Sequence, residues 1–133
     1  MLFSRELSGV ERAMDGLALR FQAEAHNVAN INTPGYRRQS VPFEDSLRSA
    51  IEESQVPINP DNPSNGPIPD PTAFLKTWTP TITVDSLPQR VDGNSVSIEQ
   101  EMGDLAKTVQ EFETETEWVA SEYRDIKFVI DAK

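Results

Sequence analysis

The chain has 133 residues, of which 37% are hydrophobic, and its 22 acidic and 12 basic side chains give a formal charge of −10. This length allows one domain, and the low apolar content argues against a large core. The charge argues against nucleic-acid binding and against docking to an anionic membrane surface, and the absence of cysteine excludes disulfides and thiolate metal sites.

The N-terminal stretch predicts a long amphipathic helix. Apolar residues recur at alternating steps of four and three from Phe3 to Phe21 and again at Val28 and Ile31, with Glu24 at the skipped position. A repeat of 3.5 residues specifies a narrow seam that packs against another helix. The seam residues that we expect at an assembly interface are Leu7, Val10, Met14, Leu17, Phe21 and Val28.

The helical pattern stops at a joint, residues 29–36. Pro34 pushes Thr33 out of the α region and has no backbone N–H, and Gly35 takes a positive φ without a steric penalty. Asn27 and Asn30 favour the same ending, since Asn side chains bond nearby backbone and tolerate the left-handed C-cap position. The pattern predicts a helix C-terminus followed by a sharp turn.

The middle of the chain predicts little regular structure. Phe43, Leu47 and Ile51 recur at four-residue steps and predict a short helix. Residues 54–71 are rich in proline, asparagine, aspartate and serine, so we expect a mobile loop or local disorder there.

Residues 77–84 alternate between apolar and polar side chains and predict a weak, half-buried strand. Trp78, Ile82 and Val84 fall on one face, and Pro80 confines the strand to an edge or interrupts it. Its candidate partners are residues 41–43 or another chain.

A second long helix is predicted near the C-terminus. Residues 91–94 form a turn, and Ser97 with Gln100 has the spacing of a capping box. From Ile98 to Ile130 the steps of four and three continue, with Thr116 as the polar member. The residues of this seam that we expect at the assembly interface are Leu105, Val109, Phe112, Val119, Tyr123 and Ile126.

The predicted fold class is mainly α, with two long heptad-patterned terminal helices that pair as a coiled coil or bundle. Between them we expect a proline-rich, loop-dominated middle with a short helix and a weak β-strand. Three parts follow: an N-terminal assembly helix, a joint and loop-rich middle, and a C-terminal assembly helix, at residues 1–31, 32–93 and 94–133.

The residues do not favour catalysis. Four glutamates between positions 111 and 117 are two residues apart, so their carboxylates diverge and indicate a solvated face. His26 is the only histidine and lies outside the seam, and Pro63 interrupts the one stretch that is similar to a calcium loop. We expect no enzyme activity, no catalytic residue, no metal and no cofactor.

Two motifs resemble those of the bacterial flagellar axial proteins of the rod and hook. Residues 27–36 read NVANINTPGY and match the motif that ends the first long helix in that family; residues 91–102 read VDGNSVSIEQEM and match the entry to its C-terminal helix. With the short length and the lack of a large insert, they make the chain most similar to the proximal rod proteins of the basal body. The motif residues at the joint are Asn27, Ala29, Asn30, Thr33, Pro34, Gly35 and Tyr36.

The resemblance implies a structural protein of the flagellum that polymerises through its terminal helices into a torque-transmitting tube, the periplasmic rod. Its implied partners are other copies, other rod and basal-body proteins, and the flagellar type III export apparatus, with no nucleic acid and no direct membrane insertion. Tyr36, Arg37 and Arg38 are implied as lateral contacts.

The N-terminal residues agree with export without a cleaved signal peptide, because charged residues such as Arg5 and Glu11 interrupt any apolar signal segment. A soluble coiled-coil adaptor or a flagellar export chaperone remains the alternative from another functional class.

Overall fold

The computed structural model describes residues 2–53, 72–86 and 91–131. Four helices and two short strands follow one another along the described chain, and the predicted loop at 54–71 lies outside the described residues. The elements in order are α1 (Leu2–Ala29), β1 (Gln39–Ser40), α2 (Glu44–Glu53), α3 (Ala73–Thr77), β2 (Thr83–Val84) and α4 (Ile98–Asp131).

The two terminal helices pack side by side and antiparallel. Arg20 on α1 lies 3.6 Å from Glu111 on α4, whereas Asn27, two turns later on α1, reaches back to Glu101 near the start of α4. At 28 and 34 residues, these helices dominate the described chain. The predicted mainly helical fold with paired terminal helices is therefore confirmed.

A small apolar core lies where α1, the segment after β1, α2 and α3 meet. Its buried residues include Leu17, Val41, Leu47 and Leu75, and the Phe43 ring lies beside them. The prediction of a short helix after Phe43 is confirmed by α2. This core fixes the loop-rich middle of the chain against one side of α1.

Glycine allows the Phe43 ring to approach α1. A Cβ added at Gly16 would lie 2.6 Å from the ring, closer than carbon atoms pack. The ring also makes an edge-to-face contact with Trp78, with centroids 6.3 Å apart. Phe43 therefore fills the space between α1 and the segment that follows α3.

The weak strand predicted at 77–84 is confirmed only at its C-terminal end. Residue 77 ends the short helix α3, which the pattern did not indicate, and only Thr83–Val84 is paired, antiparallel to Gln39–Ser40 instead of residues 41–43. Trp78 packs against the core as expected, but Ile82 and Val84 are 46% and 57% exposed. Pro80 explains the short strand, since it has no N–H for a ladder.

Only some of the residues that α1 buries belong to the predicted heptad seam. Leu17 is buried, but Phe21 is 45% exposed, whereas Glu24 and Asn27 are buried against α4. The residue at the skipped seam position therefore faces the partner helix as part of a polar layer. No helix among the described residues is long and apolar enough to cross a membrane.

Candidate functional site

The joint after α1 is closed by a side chain from the far end of the chain. The amide Nδ2 of Asn94, which is fully buried, shares its hydrogens among the carbonyl oxygens of Asn30, Ile31 and Thr33 at 3.1, 3.1 and 2.8 Å. The last carbonyls of a helix have no partner within the helix and need one from elsewhere. Asn94 therefore caps α1 from a position more than sixty residues away.

Two glycines shape the backbone around this cap. Gly35 and Gly93 have φ values of +73° and +80°, and no other described residue has a positive φ. The Gly35 N–H donates to the Asp92 carbonyl at 3.1 Å, so the two turns touch each other. The predicted turn at Gly35 is confirmed, but no asparagine at the joint adopts the left-handed conformation that we considered.

Asn27 joins α1 to the segment that follows the joint and to α4. Its Oδ1 accepts from the Gln39 N–H at 2.8 Å and from the Tyr36 hydroxyl at 3.3 Å. Its Nδ2 donates to the Gln39 carbonyl at 2.7 Å and to Glu101 Oε2 at 2.9 Å. The amide thus binds Gln39 as a neighbouring strand would, and none of its polar atoms is left without a partner.

The carboxylate of Glu101 is fully buried and is paired with Arg38. The Arg38 Nε donates to Glu101 Oε1, and its Nη2 donates to Asp104 Oδ2 at 2.8 Å. The backbone N–H of Arg38 donates to the Ser95 hydroxyl at 2.6 Å. We call Asn27, Tyr36, Arg38, Asn94 and Glu101 the joint network.

Electrostatics keep the Arg38 guanidinium of the joint network charged. Burial lowers the pKa of Arg38, but the hydrogen bond and charge of Glu101, with the charges of Asp104 and Asp85, outweigh burial and raise that pKa above its ordinary value. Burial and the nearby Glu101 charge raise the pKa of Tyr36, so its hydroxyl stays protonated and able to donate. A buried pair of this kind is costly to break from one side, because the remaining charge is left without a partner.

A second charged cluster surrounds Arg20 on α1. Its guanidinium donates to the Val41 carbonyl at 3.2 and 2.8 Å and to Glu44 Oε1 at 2.5 Å, and it lies 4.6 Å from the centroid of the Phe43 ring. Burial raises the pKa of Glu44, but the hydrogen bonds from Arg20 and from its own backbone more than compensate and lower it. Arg20 therefore connects α1 to the start of α2.

Glu24 is a buried carboxylate near the joint with incomplete hydrogen bonding. It is 4% exposed; its Oε1 accepts from the Thr108 hydroxyl at 2.9 Å, and its buried Oε2 has no hydrogen-bond partner among the described residues. Burial is the main cause of its raised pKa. It lines a polar cavity of about 280 Å³ together with Arg20, Arg38 and Asp104, whose charges are paired with one another or with other groups.

The predicted joint residues come together in this site, whereas the seam residues are spread along both helices. Among the motif residues, Asn27, Asn30, Thr33, Gly35 and Tyr36 make the contacts above, and Ala29 and Pro34 are exposed. The seam residues of intermediate exposure are Leu7, Val10, Met14, Val28, Leu105, Val119 and Ile126; Phe21, Val109, Phe112 and Tyr123 are more exposed, and Leu17 is buried. Their role at an interface stays a prediction.

The main contacts of Asn94, Glu101 and Arg38 were not predicted from the sequence. Asn94 and Glu101 both belong to the second motif, so their fixed spacing within that motif was the available signal. Tyr36, Arg37 and Arg38 were expected as lateral contacts, and that role stays a prediction. The Tyr36 hydroxyl and the Nε and Nη2 of Arg38 bind within the chain, whereas the buried Nη1 of Arg37 has no hydrogen-bond partner among the described residues. No group of three metal-ligating side chains lies together in the parts that the structure describes.

Comparison with known proteins gives relatives that match along nearly the whole chain. The flagellar basal body rod protein FlgB of Borrelia hermsii is 29% identical over 97% of this chain and 98% of its own length. That of Borreliella burgdorferi is 26% identical over 96% and 97%. No protein-family model matches the chain. The chain is thus similar along nearly its whole length to FlgB-type flagellar basal body rod proteins, which confirms the resemblance that the two motifs indicate.

Proposed function

We propose that this protein is a structural subunit of the flagellar basal-body rod. The observation that carries the proposal is the meeting of the two motifs, because the motif that ends α1 and the motif that begins α4 bind each other through Asn94 and Glu101. Full-length similarity to two rod proteins supports it. In this role the joint network holds the two terminal helices as one rigid unit.

The finer parts of the proposal concern assembly. The subunit polymerises with copies of itself and with other rod proteins into the periplasmic rod, after passage through the flagellar export apparatus, and the tube transmits torque. The half-exposed apolar side chains of Phe21, Val109 and Phe112 support the assembly role, since an apolar stripe that stays open in one chain is suited to a neighbouring subunit. The three-part division at residues 31 and 93 belongs to the same proposal.

A deletion and complementation experiment tests the function. A strain without this protein should lack rods and swimming while it retains the membrane-embedded ring, and the wild-type chain should restore both and be present in purified basal bodies. Normal swimming of the deletion strain would contradict the proposal. A chain that stays soluble in the cell, bound to another flagellar protein, would favour the export chaperone instead.

Paired surface variants test the assembly interface. Phe21→Ser combined with Phe112→Ser should abolish swimming and rod incorporation, because both side chains are 38–45% exposed in the single chain and their loss weakens contacts between subunits more than folding. Val84→Ser is the matched control, since Val84 is 57% exposed but lies outside the terminal helices. Leu17 is unsuitable for this test, because it is buried in the core and its replacement would unfold the chain.

A further inference from the structure

Arg20 and Glu24 line the same polar cavity from successive turns of α1. The cavity has a volume of about 280 Å³ and lies between α1, α4 and the segment from Gln39 to Glu44. A spacing of four residues brings two side chains of a helix next to each other. The guanidinium of Arg20 therefore has room to turn through the cavity toward Glu24 without movement of either helix.

In the structure, Arg20 binds groups other than Glu24. Its guanidinium donates to the Val41 carbonyl at 3.2 and 2.8 Å and to Glu44 Oε1 at 2.5 Å, and it lies 3.6 Å from Glu111. Neither carboxylate oxygen of Glu24 accepts a hydrogen bond from it in the part of the chain that the structure describes. The bonds to Val41 and Glu44 tether the start of α2 to α1.

The cations around Glu24 are already paired with other groups. Arg38 binds Glu101 and Asp104, and Lys107 is 72% exposed and paired with another carboxylate of α4. The charges of Asp104 and Glu101 repel a negative charge on Glu24 from the α4 side. Glu24 itself is only 4% exposed, so its ionised form is a buried carboxylate without a bound cation, which is unfavourable.

We propose that the protonation state of Glu24 selects the partner of Arg20, an inference that does not depend on the rod function. With a proton on Glu24, the guanidinium stays on the Val41 carbonyl and on Glu44, as in the structure. Without that proton, the buried carboxylate attracts Arg20 across one helical turn, and Arg20 leaves Glu44. The start of α2 then loses its tether, so α1 holds the middle of the chain firmly at low pH and loosely at high pH.

The pKa shifts agree with a competition of two carboxylates for one guanidinium. Burial is the largest cause of the raised pKa of Glu24, and the charge of Arg20 opposes it. Burial acts in the same direction on Glu44, but the hydrogen bonds from Arg20 and from its own backbone outweigh it and lower that pKa. The tether is therefore complete near the ordinary pKa of 4.5, where Glu44 stays charged, and weakens as the pH rises through the raised pKa of Glu24. Because one proton is released, the ratio of loosened to tethered molecules rises by up to about tenfold for each pH unit in this interval.

Trp78 is a natural reporter of the tether. Its ring contacts Phe43, and its Nε1 donates to the Ser46 hydroxyl at 3.2 Å, at the start of α2. Trp118→Phe on α4 leaves Trp78 as the only tryptophan of the full-length chain. Acrylamide quenching of its fluorescence should rise by about twofold or more from about pH 5 to pH 8, while the circular dichroism of the helices stays constant. A rise that coincides with loss of circular dichroism, or no rise, would overturn the proposal.

Three variants in this background separate a switch from a merely structural role. Glu24→Gln should abolish the rise and keep Trp78 protected at every pH, because the neutral amide leaves Arg20 on Glu44. Arg20→Gln should also abolish the rise, but with Trp78 accessible at every pH, because the tether is absent. Glu44→Gln should move the rise to lower pH, since it removes the competing carboxylate. A rise that persists in the Glu24 variant would overturn the proposal.

The matched controls are His26→Gln and Glu113→Gln in the same background. His26 is the only histidine of the chain and lies two residues after Glu24 on α1, and Glu113 is an exposed glutamate of α4. Both control variants should keep the full rise in quenching. Loss of the rise in His26→Gln would assign the pH response to the imidazole and overturn the role of Glu24. Neither result bears on the rod function, because the measurement uses the isolated chain.

Discussion

Replacement of Asn94 by alanine should unfold the joint. The substitution removes the donor to the carbonyls of Asn30, Ile31 and Thr33 and the acceptor for the Val96 N–H at 2.7 Å. A net hydrogen bond contributes about 1 kcal/mol, and each buried polar group left without a partner costs about 1–3 kcal/mol. We therefore expect a loss of about 3–5 kcal/mol in the free energy of unfolding, a large part of the roughly 5–15 kcal/mol of a typical domain.

Urea unfolding of the full-length chain, followed by circular dichroism at the helical band, measures this loss. The matched control is Asn32→Ala, because Asn32 is an exposed asparagine in the same turn, and its change should stay within about 0.5 kcal/mol. Asn94→Asp adds a second check: it keeps an acceptor for Val96 but directs a carboxylate at the carbonyls, so it should destabilise at least as much as alanine. Equal stabilities of the Asn94 and Asn32 variants would refute the capping argument.

Three further changes probe the surrounding groups. Burial raises the pKa of Glu24 above its ordinary value of 4.5, so its stabilising contribution is complete below that value and declines as the pH rises through the raised pKa. Glu24→Gln should remove this decline and add about 1 kcal/mol at neutral pH, measured as unfolding free energy between pH 4 and pH 8. Arg38→Met leaves the Glu101 carboxylate buried without a cation and should lower the free energy of unfolding by about 3–5 kcal/mol, measured by thermal or urea unfolding. Addition of Glu101→Gln to this variant should recover part of the lost stability. No recovery would contradict the ion-pair account. Gly35→Ala should lower the free energy of unfolding by about 1 kcal/mol, because Gly35 has a φ of +73°. Gly103→Ala in α4 should raise the free energy of unfolding by about as much, because alanine favours a helix more than glycine does. Neither added Cβ meets an atom within 4 Å, so a change of the same sign in both variants would contradict the conformational argument.

The local parts of the fold could be predicted from the sequence. The alternating steps of the terminal helices and the turn chemistry of Gly35 depend on neighbouring residues, and both are confirmed. The contacts of Asn94 and Arg38 could not be predicted, because their partners lie about sixty residues away in sequence. The contact of Glu24 could not be predicted for the same reason. The periodicity shows only that a polar residue interrupts the apolar seam at this position, whereas the fold brings Glu24 into contact with Thr108.

A polar joint between two heptad helices has a physical role that an apolar seam cannot fill. A seam that repeats every seven residues can slip by one repeat, about 10.5 Å, and still place apolar side chains against one another. The pairs Asn27–Glu101 and Glu24–Thr108 are satisfied in one register only. A slip would bury these groups without partners, at about 1–3 kcal/mol for each neutral group and more for a carboxylate. The polar layer therefore fixes how far α4 extends past the joint.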